Sequence, residues 1–215
     1  IAVVCLFSPL LFSKVGRKPW KGKGSFISYF ACLGAGFIAI ELIFIQFFHK
    51  LVGFPLYTYA SVVFAFLLSA GVGSYVTSET KLHAKTFMRF LPFLMIPIYG
   101  VGLMMVQEPL LNYFLQWPTL VRMLATVVLI LPLGFFLGMP FALGIAGSYE
   151  KGGGAVGWAW AVNGLFTVLG SITCIIAAIY VGFMSTLMVA FALYVLAGIL
   201  LPRFSTIAVE DLPSI

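Results

Sequence analysis

The sequence predicts an all-α fold: a polytopic bundle of membrane-spanning helices, with six full spans and the end of a truncated seventh at the N-terminus. Three observations carry this. Hydrophobic residues make up 62% of the 215-residue chain and charged residues only 8%, whereas a soluble domain carries about 25% charged residues. The apolar residues form long runs, each near the roughly 20 residues needed to cross a bilayer as a helix, rather than the ten-residue alternating segments of a barrel. The basic residues also alternate regularly between the two ends of those runs.

Taken in order, residues 1–13 (IAVVCLFSPLLFS) are too short to span and read as the end of a truncated transmembrane helix. The first residue is Ile1, so an N-terminal part of the protein is expected to precede it. A signal peptide does not fit, because here the charge follows the apolar run instead of preceding it. A basic loop, 14–24, comes next. The six-helix membrane domain covers 25–201, with spans expected at Ser25–Phe48, Leu56–Val76, Phe87–Val106, Leu120–Ala146, Ala155–Val181 and Met184–Leu201. A tail, 202–215, closes the chain.

The loops set an expected orientation. Lys14, Arg17, Lys18, Lys21, Lys23, Lys81, Lys85, Arg89, Lys151 and Arg203 fall on one side, and only Lys50 and Arg122 on the other. The positive-inside rule then puts the basic loops and the C-terminus in the cytoplasm of a cell whose inner membrane holds the chain. The net charge of +6 is read as topology and lipid contact, with no nucleic acid as partner. Trp20, Trp117, Trp158 and Trp160 lie near span ends, as an aromatic belt requires. Cys5, Cys32 and Cys174 lie in apolar spans with no disulfide or metal spacing.

Within the spans, Glu41 stands out. An ionised group in hydrocarbon costs about 2.5 kcal/mol or more, so Glu41 is expected to be paired, protonated or facing a polar cavity. The run Gly34-Ala-Gly36-Phe-Ile-Ala39 matches a dinucleotide fingerprint in letters only. That motif needs a strand-to-helix turn, and here it lies inside a continuous apolar run. Gly34 and Glu41 are seven residues apart and share a helix face, so Gly34 is read as a close-packing residue beside the carboxylate. Glu41, Gln46, Asn163 and Thr167 form the candidate intramembrane polar site, with Asn163 the proposed partner of Glu41. Glu41 has two readings, a site for a proton or cation and a structural carboxyl tying helices together. His49 is interfacial, and His83 lies on the opposite side, so the two cannot share a metal.

Small residues mark expected helix contacts. Asn163, Thr167, Gly170 and Cys174 make one stripe on the fifth span, and Gly157, Gly164 and Ser171 a second. Gly134, Gly138, Ala142 and Ala146 form a ridge on the fourth. Pro132 and Pro140 each remove a backbone donor there, so a kink is expected at each. Such breaks occur in transporters, where freed carbonyls bind solute, and equally as plain kinks healed by neighbours. No His-Glu-x-x-His, no phosphate-binding lysine loop and no nucleophile triad is present. Neither a catalytic residue, a cofactor nor a metal is therefore assigned.

The runs YFACLGAGFIAIELIFIQFF, GFPLYTYASVVFAFLLSAGVGS, LPLGFFLGMPFALGI and WAWAVNGLFTVLGS occur in this order. Together they resemble the C-terminal membrane region of spermidine synthase-like integral membrane proteins, fusions of a major-facilitator-like part with an aminopropyltransferase-like domain. The resemblance covers most of residues 29–200. Glu41, Gln46, Pro140 and Asn163 fall in the family's recurrent membrane motifs. No position corresponds to the family's soluble catalytic domain, so the resemblance carries over no enzymatic role. It implies a non-catalytic scaffold or accessory subunit, partnered by the lipid bilayer and by other membrane subunits or a missing N-terminal part. A transporter-like unit for a small cationic solute such as a polyamine is one alternative. The membrane anchor of an aminopropyltransferase-like enzyme is the other.

Overall fold

A computed structural model of the chain describes residues 22–80, 86–148 and 153–204. The expected truncated helix at 1–13, most of the basic loop and most of the tail lie outside these residues. So do Trp20, Lys81, His83, Lys85 and Lys151.

The described residues form seven helices: α1 (Lys23–Val52), α2 (Pro55–Glu79), α3 (Thr86–Met105), α4 (Gln107–Phe114), α5 (Thr119–Ala146), α6 (Gly153–Val181) and α7 (Phe183–Phe204). All but α4 are long and apolar enough to cross a bilayer. The chain is a multi-pass membrane protein. The spans expected from hydropathy coincide with α1, α2, α3, α5, α6 and α7, with ends that agree to within four residues. Short α4 has no counterpart in the sequence reading. It buries no residue, and it carries Tyr113 on its exposed surface, beside Trp117.

Glycine is needed at the turns that follow α1 and α6. Gly53 ends α1 at φ 84°, where its N–H bonds the His49 carbonyl at 3.0 Å, and Gly182 joins α6 to α7 at φ 87°. These left-handed conformations burden any residue with a Cβ.

α1 is the central post. It packs on α6 and α7 along much of its length and also meets α2 and α5, while α2 lies along α5 and α3 bridges α5 and α7. Its aromatic residues fill the interior: Phe26, Tyr29, Phe30, Phe44 and Phe48 are buried, and Phe44 meets Phe66 of α2 edge-on at 6.1 Å. In lipid there is little hydrophobic drive between helices, so such packing and close backbone approach must hold the bundle.

The contacts give each pair a direction. A Cβ on Gly34 would strike the Asn163 carbonyl, and one on Gly170 would meet Ala35 at 2.8 Å, while Cys174 reaches the Ala39 carbonyl at 3.8 Å. Residue numbers rise together, so α1 and α6 run parallel. Gly134 faces Phe66 and Ser69, and Gly138 faces Ala70, so α2 and α5 are parallel too. Gly100 faces Phe191 and Gly198 faces Phe93, which makes α3 and α7 antiparallel. Spans that each cross once must show this odd–even pattern.

The small-residue expectations separate here. Gly34, Gly134, Gly138 and Gly170 are contact residues, because a neighbouring helix occupies the space a Cβ would fill. Gly164 is not: a Cβ there would meet nothing within 4 Å. Gly157 of the same stripe is exposed, so this stripe looks outward. A spacing of seven fixes which residues share a face, but not which face meets a partner. Gly73, which faces Phe135, was not singled out from the sequence; it lies four residues from Ser69 on the same α2 seam.

The prolines also resolve. α5 is one unbroken helix through Pro132 and Pro140. Pro132 leaves the Val128 carbonyl without its backbone donor, and at the next residue the Tyr99 hydroxyl donates to the Leu129 carbonyl at 2.9 Å. At Pro140, the Tyr29 hydroxyl donates to the proline's own carbonyl at 2.5 Å. Both hydroxyls reach carbonyls beside the prolines, not those of Val128 and Phe136 that the prolines free, and α5 has no unwound segment. α3 holds two further prolines, Pro92 and Pro97, also inside a helix.

Candidate functional site

Two of the cavities in the described bundle lie near polar side chains, and three of the four residues of the expected polar site line them. Asn163 and Thr167 line the first. Gln46 lines the second. Glu41 lines neither.

The first cavity is a crevice between the α2–α5 pair and α6, floored by Leu33 and Phe37 of α1. Its inner part, about 240 Å³, is lined by Asn163, Thr167, Tyr194 and Ser74. An adjoining part of about 330 Å³ shares Ser74, Phe141 and Trp160 with it and extends to Ser78 and Ala146, at the ends of α2 and α5. The crevice exists because of what packs and what does not. α1 holds α6 through the Gly34 and Gly170 seam, and α5 holds α2 through Gly134 and Gly138. α5 and α6 meet at the Phe141–Trp160 ring pair, 4.7 Å between centroids, and α2 and α6 are not packed on one another along their length.

Its polar groups differ in what they have left to offer. Thr167 donates to the Asn163 carbonyl one turn back, at 2.8 Å. The Asn163 amide, the Ser74 hydroxyl and the Tyr194 hydroxyl make no hydrogen bond with a described residue. Tyr194 is only 1% exposed, and its ring lies against Gly36. Every lining side chain is uncharged. Tyr194 escaped sequence reasoning: a lone tyrosine in an apolar run reads as an interface residue, and only the fold brings it beside Asn163.

The second cavity, about 340 Å³, lies at the opposite end of α1. Gln46, His49, Lys50 and Gln107 supply its polar groups, and Phe47, Met104 and Met184 its walls. Nearby, Arg122 donates to the Leu51 carbonyl at 3.1 Å and to Thr119 Oγ1 at 3.2 Å. It thus caps the C-terminus of α1, where a cation complements the exposed carbonyls.

Glu41 is 9% exposed and makes no hydrogen bond or ion pair with a described residue. The expected pairing with Asn163 is not formed. Asn163 packs at the level of Gly34, and Glu41 lies seven residues further along α1, about 10 Å at the helical rise. Glu41 therefore does not tie helices together by hydrogen bonding. The shared face with Gly34 was legible, but the axial offset between α1 and α6 was not.

Trp158 also departs from expectation. It is buried, with the Lys23 ammonium 4.5 Å from its ring centroid, a cation–π contact at the start of α1. Trp117 and Trp160 are exposed.

Compared with known proteins, the chain matches no family model, no curated sequence and no solved structure.

Proposed function

We propose that this chain is a non-catalytic integral membrane module, a scaffold or accessory subunit of a membrane complex, as its resemblance to the membrane region of spermidine synthase-like proteins implies. The observation that carries this reading is the placement of Glu41. A carboxylate that binds a proton or cation in transport must be reached from an aqueous path. Glu41 lines neither cavity, and no acidic side chain lines either of them among the described residues. That counts against the alternative of a carrier for a cationic solute such as a polyamine, which needs an anionic partner for its cargo. The unbroken course of α5 through Pro132 and Pro140 supports the same reading, since no unwound turn there forms a solute site. The outward apolar faces of α6 and α7 suit lipid and neighbouring subunits alike.

In this reading the basic end of the bundle, with Lys23 and Arg89, faces the cytoplasm, and the chain resides in the cell (inner) membrane. Glu41→Gln tests the proposal. Reconstituted vesicles should show the same spermidine permeability with either form, and the variant should retain its thermal stability and its co-purifying membrane subunits. Spermidine uptake by the native chain that the substitution abolishes, with stability and assembly unchanged, would overturn it.

A further inference from the structure

We propose that the crevice between α5 and α6 is a binding site for an uncharged, membrane-dissolved ligand with a planar head bearing hydrogen-bond-accepting oxygens, the chemistry of a quinone head group. This goes beyond the scaffold reading and does not depend on it.

Three features select that chemistry. The lining is neutral throughout, so a charged head would enter without a counter-charge and lose its hydration uncompensated. Uncommitted donors converge from three helices: the Ser74 hydroxyl on α2, the Asn163 amide on α6 and the Tyr194 hydroxyl on α7. Tyr194 is the most telling. It is 1% exposed yet has no hydrogen-bond partner among the described residues, and the crevice is the space it lines. Buried hydroxyls are normally satisfied, and one left over in a polar hollow marks a place for an acceptor. The walls are aromatic, from Phe37, Phe141 and Trp160, and flat rings favour a flat guest by stacking.

The route of entry is lateral. Trp160 stands at the mouth, 62% exposed, where α2 and α6 are not packed together. A head group can lodge at Asn163 while its hydrophobic tail stays in lipid. The shared chemistry, an oxygen-bearing uncharged head on an apolar tail, also belongs to diacylglycerol, whose head is not planar.

Isothermal titration of the full chain in detergent micelles tests this, with an alkyl-tailed para-benzoquinone and dioctanoylglycerol as separate probes. The expected result is saturable binding of the benzoquinone alone. Tyr194→Phe and Asn163→Leu should each weaken it about tenfold, the loss of one hydrogen bond to a buried donor. Gln46→Leu, in the other cavity, should bind as the native chain does. Tyr194→Phe removes a single oxygen that hydrogen-bonds no described residue, so its melting temperature should match the native value and any loss of binding can be read directly. Absence of saturable benzoquinone binding, benzoquinone binding unaffected by Tyr194→Phe, or equal binding of dioctanoylglycerol would each overturn the proposal.

Discussion

α1 and α6 are nearly the same length, 30 and 29 residues, and both are apolar enough to span. Yet 61% of the apolar window of α1 is buried in the bundle and only 17% of that of α6. Hydropathy decides that each crosses the membrane and says nothing of where in the bundle it stands. The side chains decide that. α1 buries residues over more than half of its circumference, from Cys32 and Ala39 round to Gly34 and Val52, with its phenylalanines grouped on one side of that arc, and these need protein neighbours to fill the space between them. α6 docks on α1 through one of its two small-residue stripes and turns Ile172, Ile175, Ile176 and Ile179 outward. After Cys174, no residue of α6 is buried.

This contrast can be broken by substitution. The largest expected difference is between Phe44→Ala and Ile176→Ala. The first empties a fully buried site in the centre of the bundle and should cost about 3 kcal/mol. The second alters a half-exposed side chain on the outer face and should change stability by less than about 0.5 kcal/mol. Reversible unfolding in mixed micelles measures both. Comparable losses at the two sites would mean that the outer face of α6 is packed in the protein as purified.

A smaller difference is expected between two glycines only one of which touches a neighbour. Gly34→Val sets side-chain atoms against the Asn163 backbone and should destabilise by about 2 kcal/mol through overpacking. Gly164→Ala enters open space and should stabilise by about 0.5 kcal/mol, since alanine favours the helix. The same unfolding measurement ranks them.

The sequence showed the spans and the contact face of α6 at Asn163, Thr167, Gly170 and Cys174, because hydrophobic length and small-residue periodicity are local properties. The partner of each face was not legible. Gly157, Gly164 and Ser171 keep the same regular spacing as the residues that dock, but nothing in the spacing says that their side of α6 is vacant. Glu41 and Asn163 were both correctly placed inside spans, and their separation depends on the register of α1 against α6, which Gly34 and Gly170 set through contacts in space. Tyr194 and Arg122 were missed for a related reason. Each acts at a distant point of the chain, Tyr194 in the crevice and Arg122 on the end of α1.

The sealed Glu41 and the open Asn163 are the contrast on which the functional reading turns, and thiol accessibility measures it most directly. In a background with Cys5, Cys32 and Cys174 replaced by alanine, Glu41→Cys and Asn163→Cys would each be exposed to a small water-soluble methanethiosulfonate in detergent micelles. The scaffold reading predicts rapid labelling of the Asn163→Cys protein and none of the Glu41→Cys protein over the same period. Labelling of the Glu41→Cys protein as rapid as that of the Asn163→Cys protein would show a water path to Glu41 and contradict it.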